Sequence, residues 1–285
     1  MKISYDWCEY QCLTTGEGEK VEKFGDIILR RPDPQIIWKK NNNPLWQNYD
    51  AWYHRSHEGG GYWEYKKKLP EDWTINYKNL TFKISPTNFK HTGLFPEQAA
   101  NWDYIMERLN SGKKPARVLN LFAYTGAATM AAASGNVSEV VHVDAARGMN
   151  LWAQENMKLC RLEDKKIRFI TDDVIKFLER EKRRERKYDA IIMDPPSYGR
   201  GPNKEIFKLE NNLSELLDKV KDVLAEDFNF VLVNCYTTGF SSVSLYNILK
   251  LSFPNCQIET GEIGLPIVDN DLILPCGIYG RITKD

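Results

Sequence analysis

After one leading helix, residues 116–252 repeat a single pattern five times: an apolar, strand-length run, then an amphipathic helical run. The leader, PEQAANWDYIMERLN, opens with Pro96 and an acid and sets Ala100, Tyr104, Ile105 and Leu109 near one helical face. Strand ARVLNLF, helix AATMAAAS, strand EVVHVD and helix MNLWAQENMKLC follow. Next come strand KIRFIT, helix DVIKFLEREKRRER, strand YDAIIMD and helix LSELLDKVKDVLAE, then strand FNFVLVNC and helix SSVSLYNILKLS. Strands without a polar face, alternating with helices, require a parallel sheet covered on both sides. The last two strands, CQIETGEIG and LPCGIYGRIT, have no helix between them and are expected to pair as an antiparallel hairpin.

Residues 1–88 read differently and are expected to form a small β-rich domain, with the α/β pattern filling 89–285. This first part holds six of the eight tryptophans. Its short aromatic runs DIILRR, GGYWEYKKK, WTINY and LTFKIS are separated by Gly, Pro and Asn. The stretch 41–61 has neither helical nor strand period and reads as a long loop. Its aromatics could stack on bases, but small β domains need large side chains to fill their cores, so packing is the expected role.

Several function classes fall away on composition. No apolar run is long enough to span a bilayer, so no membrane partner is expected. The start, MKISYDWCEY, lacks the apolar core of a signal peptide, so a cytoplasmic location with reduced thiols is expected. Lys plus Arg and Asp plus Glu are equal at 39 each, which argues against a general nucleic-acid coat but not against a local basic groove. Cys8 and Cys12 are the only close cysteine pair and have no companion at zinc-ligand spacing, so no metal is expected. The run EREKRRERK (179–187) mixes signs at helical spacing and reads as a solvated helix face.

In such a sheet, ligands sit beyond the carboxyl ends of the strands, where strand order reverses. The first end, LNLFAYTGAATMAA, has one glycine, Gly126, before a helix of small residues. That glycine serves either a close backbone approach to a ligand or a plain turn and cap. It is not the glycine-rich loop of nicotinamide enzymes. The second end carries Asp144, 18 residues after Gly126, where an acid can accept from both ribose hydroxyls of a nucleoside cofactor or can cap a helix. At the third, one of Asp172 and Asp173 is placed for an adenine amino group and the other for a helix cap. The fourth, IIMDPPSYGR, aims Asp194 with two prolines that fix φ and remove donors, and Tyr198 can stack on a ring. Cys235 ends the fifth strand and is either an apolar strand residue or a nucleophile. His91 could act as a base or a substrate contact, and His142 falls within an apolar strand as a core histidine.

The order of elements is that of the class I S-adenosylmethionine-dependent methyltransferase fold. Asp-Pro-Pro-Ser with a following aromatic, LNLFAYTGA, VDAARG, TDDV and the upstream KHTGLFPEQ resemble the bacterial methyltransferases related to the 23S ribosomal RNA cytosine-5 methyltransferase. The resemblance covers roughly residues 85–240, with the motifs in order. It implies S-adenosylmethionine as methyl donor and RNA, most simply ribosomal RNA, as acceptor. By the same resemblance Phe95, Pro96 and Gln98 border the cofactor, and Phe122, Ala123, Tyr124 and Gly126 line its methionine side. Asp144 and Ala145 lie at the ribose, Asp173 with Asp172 at the adenine, and Asp194 and Pro195 at the methyl. Pro196, Ser197, Tyr198 and His91 would meet the substrate. The expected product is 5-methylcytosine, with a Cys235 thiolate adding to carbon-6 and Asp194 holding N3. The competing expectation is methylation of a base nitrogen, in which Cys235 is idle. The chain departs from the family in two places: its first part does not resemble an RNA-binding PUA domain, and VNCYTTGFS has a single cysteine.

Overall fold

The computed structural model describes residues 1–56, 60–200, 206–237 and 239–284; His57 lies outside them. Packing divides the chain into two compact units. The first is Met1–Ala100 with Ile263–Cys276, and the second is Asn101–Glu262 with Gly277–Asp285. The 88/89 boundary stays a proposal about independently folding pieces.

The first unit is β-rich. Its strands are β1 (Lys2–Ile3), β2 (Tyr10–Gly16), β3 (Glu19–Phe24), β4 (Ile27–Pro32), β5 (Ala51–Arg55), β6 (Gly61–Tyr65), β7 (Trp73–Tyr77) and β8 (Leu80–Ile84). Five of them form one sheet in the order β2-β3-β4-β5-β6, and β7 pairs with β8. The β2–β3 hairpin closes on Glu17 and Gly18, both at positive φ (50° and 77°), which matches the twist of the flanking strands. Val21, Phe24, Leu29, Ala51, Ile75 and Phe82 are fully buried at its centre.

One expectation for this unit changes. The loop expected over 41–61 contains β5, AWYHR. Tyr53 faces inward, while Trp52 and His54 face outward, so both faces carry rings and no polar alternation is left to read. Trp46, Tyr49 and Tyr53 are buried, as the packing role requires. The unit also buries charge. Glu22 accepts from Tyr10 Oη at 2.6 Å and Arg31 Nε at 2.8 Å, and Arg31 Nη1 donates to the Lys90 carbonyl at 2.8 Å. Burial alone would raise the Glu22 carboxyl, but Arg31 and Lys20 beside it hold it down at about 2.

The second unit alternates as expected. Its elements are α1 (Ala99–Asn110), β9 (Ala116–Leu121), α2 (Ala127–Ala133), β10 (Val137–Asp144), α3 (Arg147–Leu159), β11 (Ile167–Thr171), α4 (Val174–Arg183) and β12 (Ala190–Met193). After β12 come β13 (Tyr198–Arg200), β14 (Ile206–Lys208), α5 (Leu209–Val223), β15 (Phe230–Cys235), α6 (Ser242–Ser252), β16 (Gln257–Pro266) and β17 (Ile273–Thr283). The sheet runs β16-β17-β15-β12-β9-β10-β11. β9 pairs in parallel with both β10 and β12, and β17 pairs antiparallel with β15. The outer ends of β16 and β17 are counted with the first unit, where β1 pairs with Ile263 and Gly264. Every residue of β12 and β15 is buried, which is why those strands read as unbroken apolar runs. The chain goes from β9 to one side of the sheet and returns to the other at β12, so strand order reverses between β9 and β12.

Pro96–Gln98 forms a 3₁₀ turn ahead of α1, and α5 begins at Leu209, four residues before the expected LSELL start. The short hairpin β13–β14 carries no sequence signal. The charged run also differs from a fully solvated face. Glu181 is completely buried, accepting from Tyr188 Oη at 2.6 Å and pairing with Arg184 at 3.1 Å. No helix of the described residues is long and apolar enough to cross a membrane.

Candidate active site

The strand-order reversal brings the two key turns together. Met193 of β12 lies opposite Leu121 of β9, so Asp194 and Phe122 leave neighbouring strands at the same edge of the sheet. Phe122 and Tyr124 both take positive φ, 54° and 50°, and Gly126 follows at 84°. Left-handed backbone at two non-glycine residues costs on the order of 1–3 kcal/mol each, and such strain concentrates at ligand sites. The Ala123 amide bonds the Val143 carbonyl at 3.1 Å and the Gly126 amide bonds the Ala123 carbonyl at 3.0 Å, which holds the coil in place. Gly126 also has a packing role. A Cβ there would stand 2.9 Å from the Ala153 Cβ on α3, so glycine lets α2 start close against α3.

Asp144 anchors this coil. Its Oδ2 accepts from the Tyr124 amide at 2.8 Å and its Oδ1 from the Ala146 amide at 2.8 Å. Burial raises the Asp144 carboxyl, and these two amides partly offset the rise. Each oxygen uses one acceptor site on the backbone and keeps another, so the pair can still accept from two neighbouring hydroxyls. Ala145 is exposed beside it, and Ala123 is buried. At the end of β11 the structure separates two acids the sequence leaves equivalent. Asp173 caps α4, accepting from the Lys176 amide at 3.0 Å, while Asp172 pairs with Arg180 and accepts from the Asp173 amide at 2.9 Å.

Asp194 is partly buried, Pro195 is buried and Pro196 partly so, while Ser197 and Tyr198 are exposed. Two successive prolines leave no N–H next to the carboxylate. The turn is braced from two sides: Thr237 Oγ1, just past β15, donates to Ser197 Oγ at 2.8 Å, and the Leu209 amide at the start of α5 bonds the Ser197 carbonyl at 3.2 Å. Phe207 of β14 packs on Phe122, ring centroids 5.6 Å apart, so the hairpin after Asp-Pro-Pro-Ser reaches the β9 turn. Sequence reasoning misses Thr237 and Phe207. Thr237 lies just past the end of β15, and a reading of every residue beyond a strand end would include it.

Cys235 does end β15, and β15 pairs with β12, which puts it next to the Asp194 strand end. Two readings of it, nucleophile and apolar strand residue, are open in the sequence, and its surroundings are those of a core residue. The residue is 1 % exposed within the apolar core, and burial, then the Asp194 charge, push its thiol well above the ordinary range. A thiol so placed has almost no thiolate at neutral pH.

His142 is the core histidine expected. Asn120 Nδ2 donates to Thr129 Oγ1 at 2.9 Å, and that hydroxyl lies 2.9 Å from His142 Nδ1, so the threonine hydrogen can go to a neutral ring. Burial pushes His142 down to about 3, with the Asn150 side chain working weakly the other way. His91, Phe95, Pro96 and Gln98 belong to the first unit. There Phe95 precedes the 3₁₀ turn, Pro96 and Gln98 are buried within it, and the His91 ring lies 5.4 Å from that of Phe95. Burial, then Arg31, Lys90 and Lys20, lower His91 to about 4, so its ring is neutral near pH 7.

Comparison with known proteins agrees with this arrangement. A model of the S-adenosylmethionine-dependent methyltransferase family matches residues 52–239. The ribosomal RNA large subunit methyltransferase K/L of Syntrophotalea carbinolica is 32% identical over 210 residues, covering 72% of this chain and 27% of that protein. The ribosomal RNA large subunit methyltransferase K of Neisseria meningitidis serogroup B is 29% identical over 170 residues, 59% of this chain and 47% of the relative. The chain thus spans less than half the length of these relatives. A crystal structure of a SAM-dependent methyltransferase from Agrobacterium tumefaciens superposes with a TM-score of 0.92 at 31% identity, covering 98% of this chain and 91% of that one. The SMU.776 methyltransferase complexed with SAH shares the fold at a TM-score of 0.76 and 19% identity, over 98% of this chain and 76% of its own. With its strand ends arranged for a nucleoside and more than half its length matched by one family model, the chain belongs to the S-adenosylmethionine-dependent methyltransferase family.

Proposed function

We propose that this chain methylates a base nitrogen of large-subunit ribosomal RNA. The observation that carries the choice of atom is Cys235. Carbon-5 of cytosine needs a thiolate to make it nucleophilic, and the cysteine at this position is buried and held neutral. A nitrogen needs no such help. The choice of RNA is supported by the relatives, which are ribosomal RNA large subunit methyltransferases.

The residues at the strand ends suit the cofactor. Asp144 offers two carboxylate oxygens for the ribose hydroxyls, each already steadied by one amide. Phe122, Ala123, Tyr124 and Gly126 supply the coiled turn beside it, and Asp172 and Asp173 stand at the neighbouring strand end. Bound there, S-adenosylmethionine supplies an electrophilic methyl carried on a sulfonium. Asp194 and the Pro195 carbonyl would accept the hydrogens of a planar exocyclic amine and turn its lone pair toward that methyl. The new bond forms between nitrogen and methyl carbon as the carbon–sulfur bond breaks, and the surplus proton on nitrogen passes to the Asp194 carboxylate or to water. Tyr198, 49% exposed on the arm of the β13–β14 hairpin, would stack on the base, with Pro196 and Ser197 at its edge. Phe95, Pro96, Gln98 and His91 enter this reading from the family resemblance alone.

The deciding experiment pairs product identification with one substitution. Radiolabelled methyl is transferred to total RNA from a strain lacking the gene, and the labelled nucleoside is identified after digestion. The expected product is an N-methylated base, formed by Cys235→Ala at a rate within about threefold of the native chain. Labelled 5-methylcytosine that disappears in Cys235→Ala would overturn the reading.

A further inference from the structure

The outer face of the first unit carries rings in series. On β4, β5 and β6 the register sets Arg30 opposite Trp52 and His54 opposite Tyr62. The Arg30 guanidinium lies 3.8 Å over the Trp52 ring. Trp52 and His54 ring centroids are 3.8 Å apart, and His54 stacks on Tyr62 at 4.9 Å and 14°. Arg30, Trp52 and His54 are each held by a carboxylate. Glu19 grips Arg30 at 2.6 Å and takes the Trp52 indole N–H at 2.8 Å, and Glu64 holds His54 Nε2 at 2.7 Å. The series ends on Tyr62, which is 65% exposed, on β6, the last strand of the sheet. Such rings are not needed for the core: the inward residues Ala51 and Tyr53 fill it.

A ladder of planar groups that stops at an exposed, pre-oriented ring invites a further planar group. The charge beside it says which. β6 runs directly into Tyr65-Lys66-Lys67-Lys68; Lys67 pairs with Asp50, but Lys66 and Lys68 make no ion pair among the described residues. Lys66 Nζ instead donates to the Gln47 carbonyl at 2.7 Å and lies 3.8 Å over the Tyr49 ring, which holds its positive charge beside the aromatic surface. Aromatic faces for bases next to cations for phosphates are the physical requirements of a single-stranded nucleic acid. We propose that the Trp52–His54–Tyr62 ladder with Lys66 and Lys68 is a stacking platform for an unpaired segment of the RNA substrate. The identity of the ligand as substrate rests on the RNA-methyltransferase reading above. The platform itself rests only on the ladder and its cations.

Two measurements on the full chain test it. In methyl transfer to large-subunit ribosomal RNA, Tyr62→Ala should raise KM for RNA roughly tenfold, the scale of one lost base stack, leaving kcat and KM for S-adenosylmethionine unchanged. Tyr62→Phe, which keeps the ring, should behave as the native chain. Fluorescence anisotropy with a labelled single-stranded RNA of about 12 nucleotides should show the same weakening, and a duplex of equal length should bind more weakly. Equal oligonucleotide affinity of native chain and Tyr62→Ala, or duplex bound as tightly as single strand, would overturn the platform and leave the face to a protein partner. A native chain that binds the oligonucleotide through Tyr62 yet methylates no RNA would sink the enzymatic reading and support the platform.

Discussion

Two strands of the same sheet end on an aspartate, and the two acids are treated in opposite ways. Asp144 at the end of β10 is tied to the backbone by both oxygens, through the Tyr124 and Ala146 amides. Asp194, just past the end of β12, precedes two residues with no N–H to give. The first carboxylate is part of the scaffold that shapes a strained turn. The second stands at the head of a turn stiffened by two prolines, as suits a group that must be aimed.

The contrast breaks first at Asp194. Asp194→Ala should lower kcat for methyl transfer by roughly 10²–10³-fold, the scale of removing one well-placed polar contact from a transition state. Affinity for S-adenosylhomocysteine, read by calorimetry, should change little. If both fall together, the two acids are not divided in this way. Asp144→Asn is the converse. Exchanging one acceptor oxygen for a donor opposes an amide, so cofactor affinity should fall about tenfold or more, and kcat at saturating cofactor should be nearly preserved.

The same residues decide how far this contrast is legible in the sequence. The five strand–helix units, the strand-end acids and the Asp-Pro-Pro-Ser turn can be read because they depend on local pattern and order. The bonds of Asp144 cannot, since they depend on a left-handed Tyr124 that no side chain announces. The choice between Asp172 and Asp173 turns on which one meets the free amides of α4, a matter of one residue of register. The burial of Cys235 is not legible either, because a strand-end position does not say which way the side chain points, and this one lies in the core. β5 escapes notice because aromatics on both its faces erase the alternation.

The smallest effect concerns two histidines, one in each unit, both kept neutral by burial. Their ordinary value is about 6.5, against about 4 for His91 and about 3 for His142. Between roughly pH 6.5 and 4 the unfolded chain binds more protons, so folded stability falls as pH falls through that window and recovers above it. At pH 5 the loss should be on the order of 1–2 kcal/mol per histidine. Urea midpoints at pH 7.5 and 5 should differ in that direction, and the difference should shrink in His142→Gln. Identical midpoints would mean that these rings are accessible to protons in the folded chain.

The first unit also recruits a segment from far along the polypeptide. Asn41 and Asn43 both donate to Asp269, and Val268 and Asp269 bond the carbonyls of Cys12 and Leu13. The two asparagines lie 228 and 226 residues from that aspartate in the chain. During synthesis, at about 5–20 residues per second, the β-rich unit must wait roughly 10–30 s after its first hundred residues emerge before its closing segment is made. Over that interval Asn101–Glu262 of the α/β unit is translated, so the first unit gains its last piece only after most of the second has been made.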